Sequence, residues 1–356
     1  MVHQYQEKRF VMSSVAIIGD YFMLPEIFEQ KLHEACGDQI SVHARKDNWP
    51  NEPMEHGYQD EQLAGLKEYF GKPEDVVEFV GDADVLVTHL APMSREMLER
   101  LPGLKLIAVS RGGPVNIDMQ AAREHQVQVV NTPGRNASAV AEFTIGAILA
   151  ETRKIRVGHE ALRAGQWRGD LYRADTTGRE LNEMTVGVIG YGSIGTRVVN
   201  LLLAFGCKVL VRDPYIQLPV GVAKQGVELV SLERLLADSD VVTLHPRVTD
   251  ETRHIINSDT LAQMKPDALL VNTARGPLCD YDALFDALQS ERIGGAMLET
   301  FSIEPVPVDW PLLSLPNVTL TPHIAGASMR TVTFAAEQAA EEVRRYLVGE
   351  APLNPC

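Results

Sequence analysis

The chain has 356 residues, enough for two domains that each bury a core. Hydrophobic residues make up 45% and charged residues 23%, as in ordinary globular proteins, and a net charge of −15 with no basic tract argues against nucleic acid as the main partner. Cys36, Cys207, Cys279 and Cys356 form no C-x-x-C pair, and His33 and His159 lack a second histidine at metal-ligand spacing, so neither disulfides nor a bound metal is signalled.

The first ten residues are polar and charged, without the apolar core of a signal peptide. The run at residues 15–18 meets Gly19 and Asp20 too soon to span a membrane, so a reduced, cytoplasmic protein with no membrane partner is expected. Short apolar runs at residues 15–18, 40–43, 85–88, 104–109 and 127–131 read as strands. Between them residues 27–35, 62–69, 95–100 and 119–124 carry helical spacing. That alternation predicts a small doubly wound α/β unit without a glycine fingerprint. Residues 46–60 are rich in turn formers and read as a loop. Past Pro133 and Gly134, Asn136 is a plausible N-cap. Val140, Phe143, Ala147 and Ile148 then share one face of a single long helix running toward Leu162.

The second unit opens at Thr185 with T-V-G-V-I-G-Y-G-S-I-G, followed by an apolar run and K-V-L-V-R-D. This is strand, glycine turn, helix and strand ending in a carboxylate, the pattern that binds a dinucleotide. Gly190 turns the chain sharply, Gly192 lets backbone close on a pyrophosphate, and Gly195 lets the helix pack on the sheet. The free amides about Ser193 and Ile194 face the phosphates. Asp213, 23 residues beyond Gly190, suits an adenosine ribose and repels the 2′-phosphate of NADP, which favours NAD; Arg212 beside it pulls the other way. Strands are expected at residues 241–245, 269–273, 295–300 and 318–321, with a helix at 281–288 and a last helix at 329–347. Two α/β domains with a cleft between them are the simplest arrangement. Near the carboxyl ends of these strands stand Arg275, Glu304 and His323, types suited to carboxylate binding, tuning and proton transfer.

V-G-V-I-G-Y-G-S-I-G, N-T-A-R-G-P, F-S-I-E-P and T-P-H-I-A-G-A-S occur in the order found in D-isomer-specific 2-hydroxyacid dehydrogenases. S-R-G-G-P-V-N-I-D and N-T-P-G-R-N-A-S-A-V-A-E upstream resemble the same family, so the likeness covers roughly residues 80 to 350. The resemblance implies two parallel-sheet domains. One is a Rossmann NAD-binding domain at residues 133–326; the other is a flavodoxin-like substrate domain split between 1–132 and 327–356. It implies a triad of Arg275, Glu304 and His323 acting on a small D-2-hydroxy acid or its 2-keto partner. His245, Pro246, Thr273, Ala274, Glu299 and Ala325 would border the cofactor. Backbone about His89, Leu90 and Ala91, and about Gly112 and Gly113, would cradle the substrate carboxylate. A homodimer through the nucleotide domain is also implied.

The chain departs from the family pattern in places. Glu299 stands where aspartate is usual, Arg247 where proline is usual, and the loop at Arg111 is short. Glu304 argues against the formate dehydrogenase branch, which carries glutamine there. Only about thirty residues follow His323, so the regulatory domain of many phosphoglycerate dehydrogenases is not expected. A phosphoglycerate-type or sugar-acid dehydrogenase, or a non-catalytic NAD-sensing corepressor, are the alternatives. Arg45 and Lys46 could hold a distal anionic or polyol group, though solvated loop charges are the plainer reading.

Overall fold

The structure, a computed structural model, describes residues 12–49, 63, 65–223 and 225–356. The chain forms two compact units, Met1–Arg135 with Ser328–Cys356, and Asn136–Ala327. Each is a parallel sheet wound on both faces by helices, the expected fold class. No helix among the described residues is long and apolar enough to cross a membrane.

In unit 1, β1 (Ser13–Gly19), β2 (Ile40–Lys46), β3 (Val85–Thr88), β4 (Leu106–Val109) and β5 (Gln128–Asn131) lie in the order β2-β1-β3-β4-β5. β3 and β4 are buried at every residue, which is why they read as unbroken apolar runs rather than as alternation. Helices α1 (Pro25–Cys36), α2 (Pro73–Val80), α3 (Arg95–Glu99) and α4 (Met119–Glu124) connect them. Proline opens α1 and α2, where its missing N–H costs no helical bond, and the Asp118 carboxylate caps α4 through the Gln120 and Ala121 amides. The helix Met329–Val348 returns to this unit. Its Val332, Ala335, Ala336, Ala339, Ala340 and Val343 pack with Phe28 and Leu32 of α1. Burial of each large side chain there, such as Phe28 or Leu32, contributes roughly 1.5–3 kcal/mol.

The helical reading of residues 62–69 fails over its described part. Gly65 and Glu68 have positive φ, and the Lys67 and Phe70 amides donate to the Val115 and Leu90 carbonyls instead of to their own turn. Leu66 and Tyr69 are buried, so the spacing marks packing of an irregular segment and not a helix face. Of the expected loop at 46–60, residues 50–60 lie outside the described residues.

Unit 2 has β6 (Thr185–Ile189), β7 (Lys208–Arg212), β8 (Val227–Leu229), β9 (Val241–Leu244), β10 (Leu269–Asn272), β11 (Gly295–Leu298) and β12 (Val318–Leu320), in the order β12-β11-β10-β9-β6-β7-β8. Its helices are α5 (Ala137–Thr152), α6 (Ile155–Arg163), α7 (Ser193–Ala204), α8 (Val220–Ala223), α9 (Leu232–Asp238), α10 (Ser258–Leu261) and α11 (Tyr281–Gln289). The single long helix expected after Asn136 is therefore two. Lys154 adopts a left-handed conformation (φ 57°) that ends the helical ladder, and Gly178 packs so tightly on the Thr152 carbonyl that a Cβ there would collide. The Arg156–Glu151 ion pair bridges the break at 2.9 Å. Asn136 occupies the N-cap position, but its side chain caps nothing.

Candidate active site

In unit 2 the strand order reverses between β6 and β9, and ligands of such sheets bind outside the carboxyl ends at that point. Gly190 follows β6 with φ 92°, and a Cβ there would lie 2.6 Å from Pro246 N. Gly195 abuts the Gly190 carbonyl so closely that any side chain would collide with it. Gly192 and Ser193 are exposed with open space beside Gly192, and the first amides of α7 have no partner within the helix. These features fit a pyrophosphate. Asp213 holds the same loop, since its Oδ2 accepts from the Tyr191 amide (2.8 Å) and Oδ1 from the Tyr215 amide (3.0 Å). Each oxygen keeps lone-pair capacity for a ribose hydroxyl.

Several expected cofactor residues sit one position past a strand end. β9 stops at Leu244, so His245 lies in the loop. Its Nε2 meets the Thr243 hydroxyl at 3.0 Å, while Nδ1 is sealed and unpartnered. Burial pushes this imidazole down to about 3, so it is neutral. Pro246 packs beside Gly190, and the Thr273 hydroxyl is tied to Thr144 of α5 at 2.8 Å, with Ala274 buried next to it.

Arg275 follows β10 on a turn clamped by Asn272, whose Oδ1 accepts from the Ala274 amide (3.1 Å) and whose Nδ2 donates to the Arg275 carbonyl (3.0 Å). The Arg275 side chain is exposed, and among the described residues its guanidinium donates to the adjacent Ala274 carbonyl at 2.7 Å. Gly276 lies against the Phe301 carbonyl, where any Cβ would collide, so this turn rests directly on the loop that carries Glu304. Glu304 is oriented by the Phe301 amide, which donates to Oε1 at 2.8 Å, and its Oε2 lies 2.9 Å from His323 Nδ1. Burial alone would raise this carboxyl. The His323 hydrogen bond and charge, the Phe301 amide and the Arg275 charge outweigh it and hold the group below the usual carboxylate range. An ionised carboxylate only accepts, so Nδ1 carries the hydrogen and Nε2 is left to exchange a proton.

His323 follows β12 in a left-handed conformation (φ 52°) that a non-glycine residue adopts at a cost. Glu299, buried to 1% exposure, secures the segment, because its Oε2 accepts from the Ile324 (2.7 Å) and Ala325 (2.8 Å) amides. Burial raises the Glu299 carboxyl despite those amides. The longer side chain at this position is thus engaged with the backbone just beyond the imidazole, a use that sequence did not suggest. Asn272, Gly276 and Phe301 were missed as well, since their work appears only when two distant loops meet. A shallow cavity of about 380 Å³ near Asp267, Ile293 and Asn317 lies at the amino ends of β10–β12, the opposite end of the sheet from His323.

In unit 1 the Ala91 amide donates to the Thr88 hydroxyl (3.0 Å), Leu90 accepts from the Phe70 amide, and His89 is buried. Gly112 and Gly113 have open space where a side chain would be. Arg45 pairs with Asp47 at 2.7 Å and Lys46 with Glu26 at 2.6 Å, so both cations are satisfied within the protein.

The family model described as D-isomer specific 2-hydroxyacid dehydrogenase, NAD binding domain, matches residues 145–325. The chain is 36% identical to a glyoxylate reductase of Thermofilum pendens over 331 residues, 93% of this chain and 91% of the relative. It is also 36% identical to a hydroxypyruvate reductase of Thermotoga maritima, covering 81% of this chain and 92% of the relative. Among solved structures it resembles the apo-structure of D-lactate dehydrogenase from Escherichia coli, with a TM-score of 0.74, 27% identity and coverage of 96% and 99%.

Proposed function

The chain belongs to the D-isomer-specific 2-hydroxyacid dehydrogenases, NAD-binding oxidoreductases acting on CH–OH groups, and on that premise we propose that it interconverts a small D-2-hydroxy acid and its 2-keto acid through Arg275, Glu304 and His323. The observation that carries this reading is the 2.9 Å contact between His323 Nδ1 and Glu304 Oε2 on a loop that Gly276 brings against the Arg275 turn. Bound NAD supplies the hydride acceptor, and its reduced form the donor. In oxidation His323 Nε2 takes the hydroxyl proton while Glu304 stabilises the imidazolium that forms. Arg275 binds the substrate carboxylate by a bidentate pair and polarises the C2 oxygen. Gly190, Gly192 and Gly195, the amides about Ser193 and Ile194, and Asp213 would hold the dinucleotide, with His245, Pro246, Thr273, Ala274, Glu299 and Ala325 along its nicotinamide side. Unit 1 takes the substrate role, including the backbone about His89–Ala91 and Gly112–Gly113.

The test is a panel of 2-keto acids offered with NADH or NADPH. Loss of NADH absorbance with at least one acid, and a preference for NADH as the Asp213 carboxylate demands, is expected. No consumption with any acid would sink the reading. Glu304→Gln is expected to lower kcat by about tenfold to a hundredfold with NADH binding unchanged, because the imidazolium that forms in the reaction no longer faces a carboxylate. An unchanged kcat would remove Glu304 from its role.

The homodimer is also proposed, through unit 2. Ile155 (59% exposed), Leu162 (60%), Trp167 (87%) and Tyr172 (94%) leave apolar surface on α6 and the segment after it. Light scattering should give twice the chain mass, and a monomer at micromolar concentration would refute it.

A further inference from the structure

Unit 1 has a strand-order reversal of its own, between β1 and β3, where the dehydrogenase reading uses backbone but not the side chains of Asp20, His89 and Arg135. Asp20 follows β1 and His89 follows β3, and both are buried, to 3% and 4% exposure. His89 Nδ1 lies 2.6 Å from Asp20 Oδ2, while Asp20 Oδ1 accepts from the Phe22 and Met23 amides, each at 2.7 Å. Burial keeps this imidazole neutral despite the carboxylate. With its hydrogen on Nδ1, the Nε2 lone pair faces Arg135, whose Nη2 donates to it at 3.3 Å.

Arg135 is half-buried, and the groups it touches directly are apolar or neutral. Its Nη1 meets the Met23 sulfur at 3.6 Å and its guanidinium carbon lies 5.8 Å from the Phe22 ring centre. Among the described residues no carboxylate is hydrogen-bonded to it, whereas Arg111 nearby is paired with Glu68. Burial, with the charge of Arg111, outweighs the opposing charge of Asp20 and pulls the guanidinium down to about 9, so it remains a cation at neutral pH. A desolvated cation with no hydrogen-bonded carboxylate among the described residues is costly, and arrangements of this kind recur where a ligand supplies a further negative charge. Trp49 lies parallel to the His89 ring, with ring centroids 6.1 Å apart.

We propose that Arg135, positioned by His89 and Asp20, is a receptor for an anionic group, and that the preferred substrate is a 2-keto or 2-hydroxy acid bearing a second carboxylate or a phosphate. The substrate assignment rests on the dehydrogenase reading; the anion site itself does not. Arg135→Met keeps the apolar stem and removes the fork. With 2-oxoglutarate or 3-phosphonooxypyruvate it is expected to raise KM by about tenfold to a hundredfold, with kcat changed less than about threefold. With glyoxylate, which has no second anion, KM should move less than about threefold. Arg135→Lys should recover part of the loss, as retained charge predicts and a purely structural fault does not. Whichever of the two dianions wild type prefers identifies the group as carboxylate or phosphate. Equal loss on glyoxylate and the dianions, no loss on either, or a wild type that favours glyoxylate over both would overturn the proposal. Calorimetric titration of the full chain with malonate and with phosphoglycolate gives an answer even if no keto acid is turned over. Binding by wild type that Arg135→Met weakens at least tenfold supports the site, and absence of binding by wild type removes it.

Discussion

His323→Ala is expected to lower kcat by about a thousandfold, the usual worth of a positioned acid–base group. The fold should survive, because the ring is 43% exposed and its ion pair with Glu304 is worth only about 0–1 kcal/mol at such a site. That small contribution is itself informative. The left-handed backbone at His323, the two amides gripped by Glu299 and the Phe301 amide on Glu304 spend several interactions on one imidazole that barely affects stability. Steady-state rates with the best keto acid and a binding isotherm for NADH measure the two halves separately. Turnover within tenfold of wild type would remove His323 as the base; intact turnover with lost NADH affinity would move it to the cofactor.

Arg275→Met should lower kcat/KM by on the order of a thousandfold, through both weaker carboxylate binding and loss of the charge that polarises the C2 oxygen. Among the described residues its guanidinium bonds only to the neighbouring Ala274 carbonyl, and Asn272 keeps the turn in shape without it, so melting should shift by no more than about 2 °C. Millimolar guanidinium should restore part of the rate. A loss under fivefold, with melting unchanged, would mean that the substrate carboxylate is held elsewhere.

Much of this arrangement was legible because parallel strands buried on both faces must be continuous apolar runs, and their carboxyl ends are where ligands bind. Val186–Ile189 with Gly190, and the strands before Arg275, Glu304 and His323, announced themselves in that way. What stayed hidden depends on single backbone states or on distant chain meeting. Lys154 breaks a periodic apolar face by one left-handed residue that spacing does not record. Leu66 and Tyr69 imitate a helix stripe while packing from an irregular segment. Glu299 reads as a charge for the cofactor, yet its reach is set by amides 25 and 26 residues later. Arg135, His89 and Asp20 are separated by 46 and 69 residues, and no local pattern links them.

The helix Met329–Val348 fixes an order of events during synthesis. Unit 2 is spliced between two pieces of unit 1, so a ribosome delivers Asn136–Ala327 complete before it delivers the helix whose alanine stripe covers α1. The Rossmann unit can therefore close first, while Phe28, Leu32 and the β1 face wait uncovered. Truncation within Met329–Val348 therefore strikes the core of the unit whose synthesis begins first and is completed last.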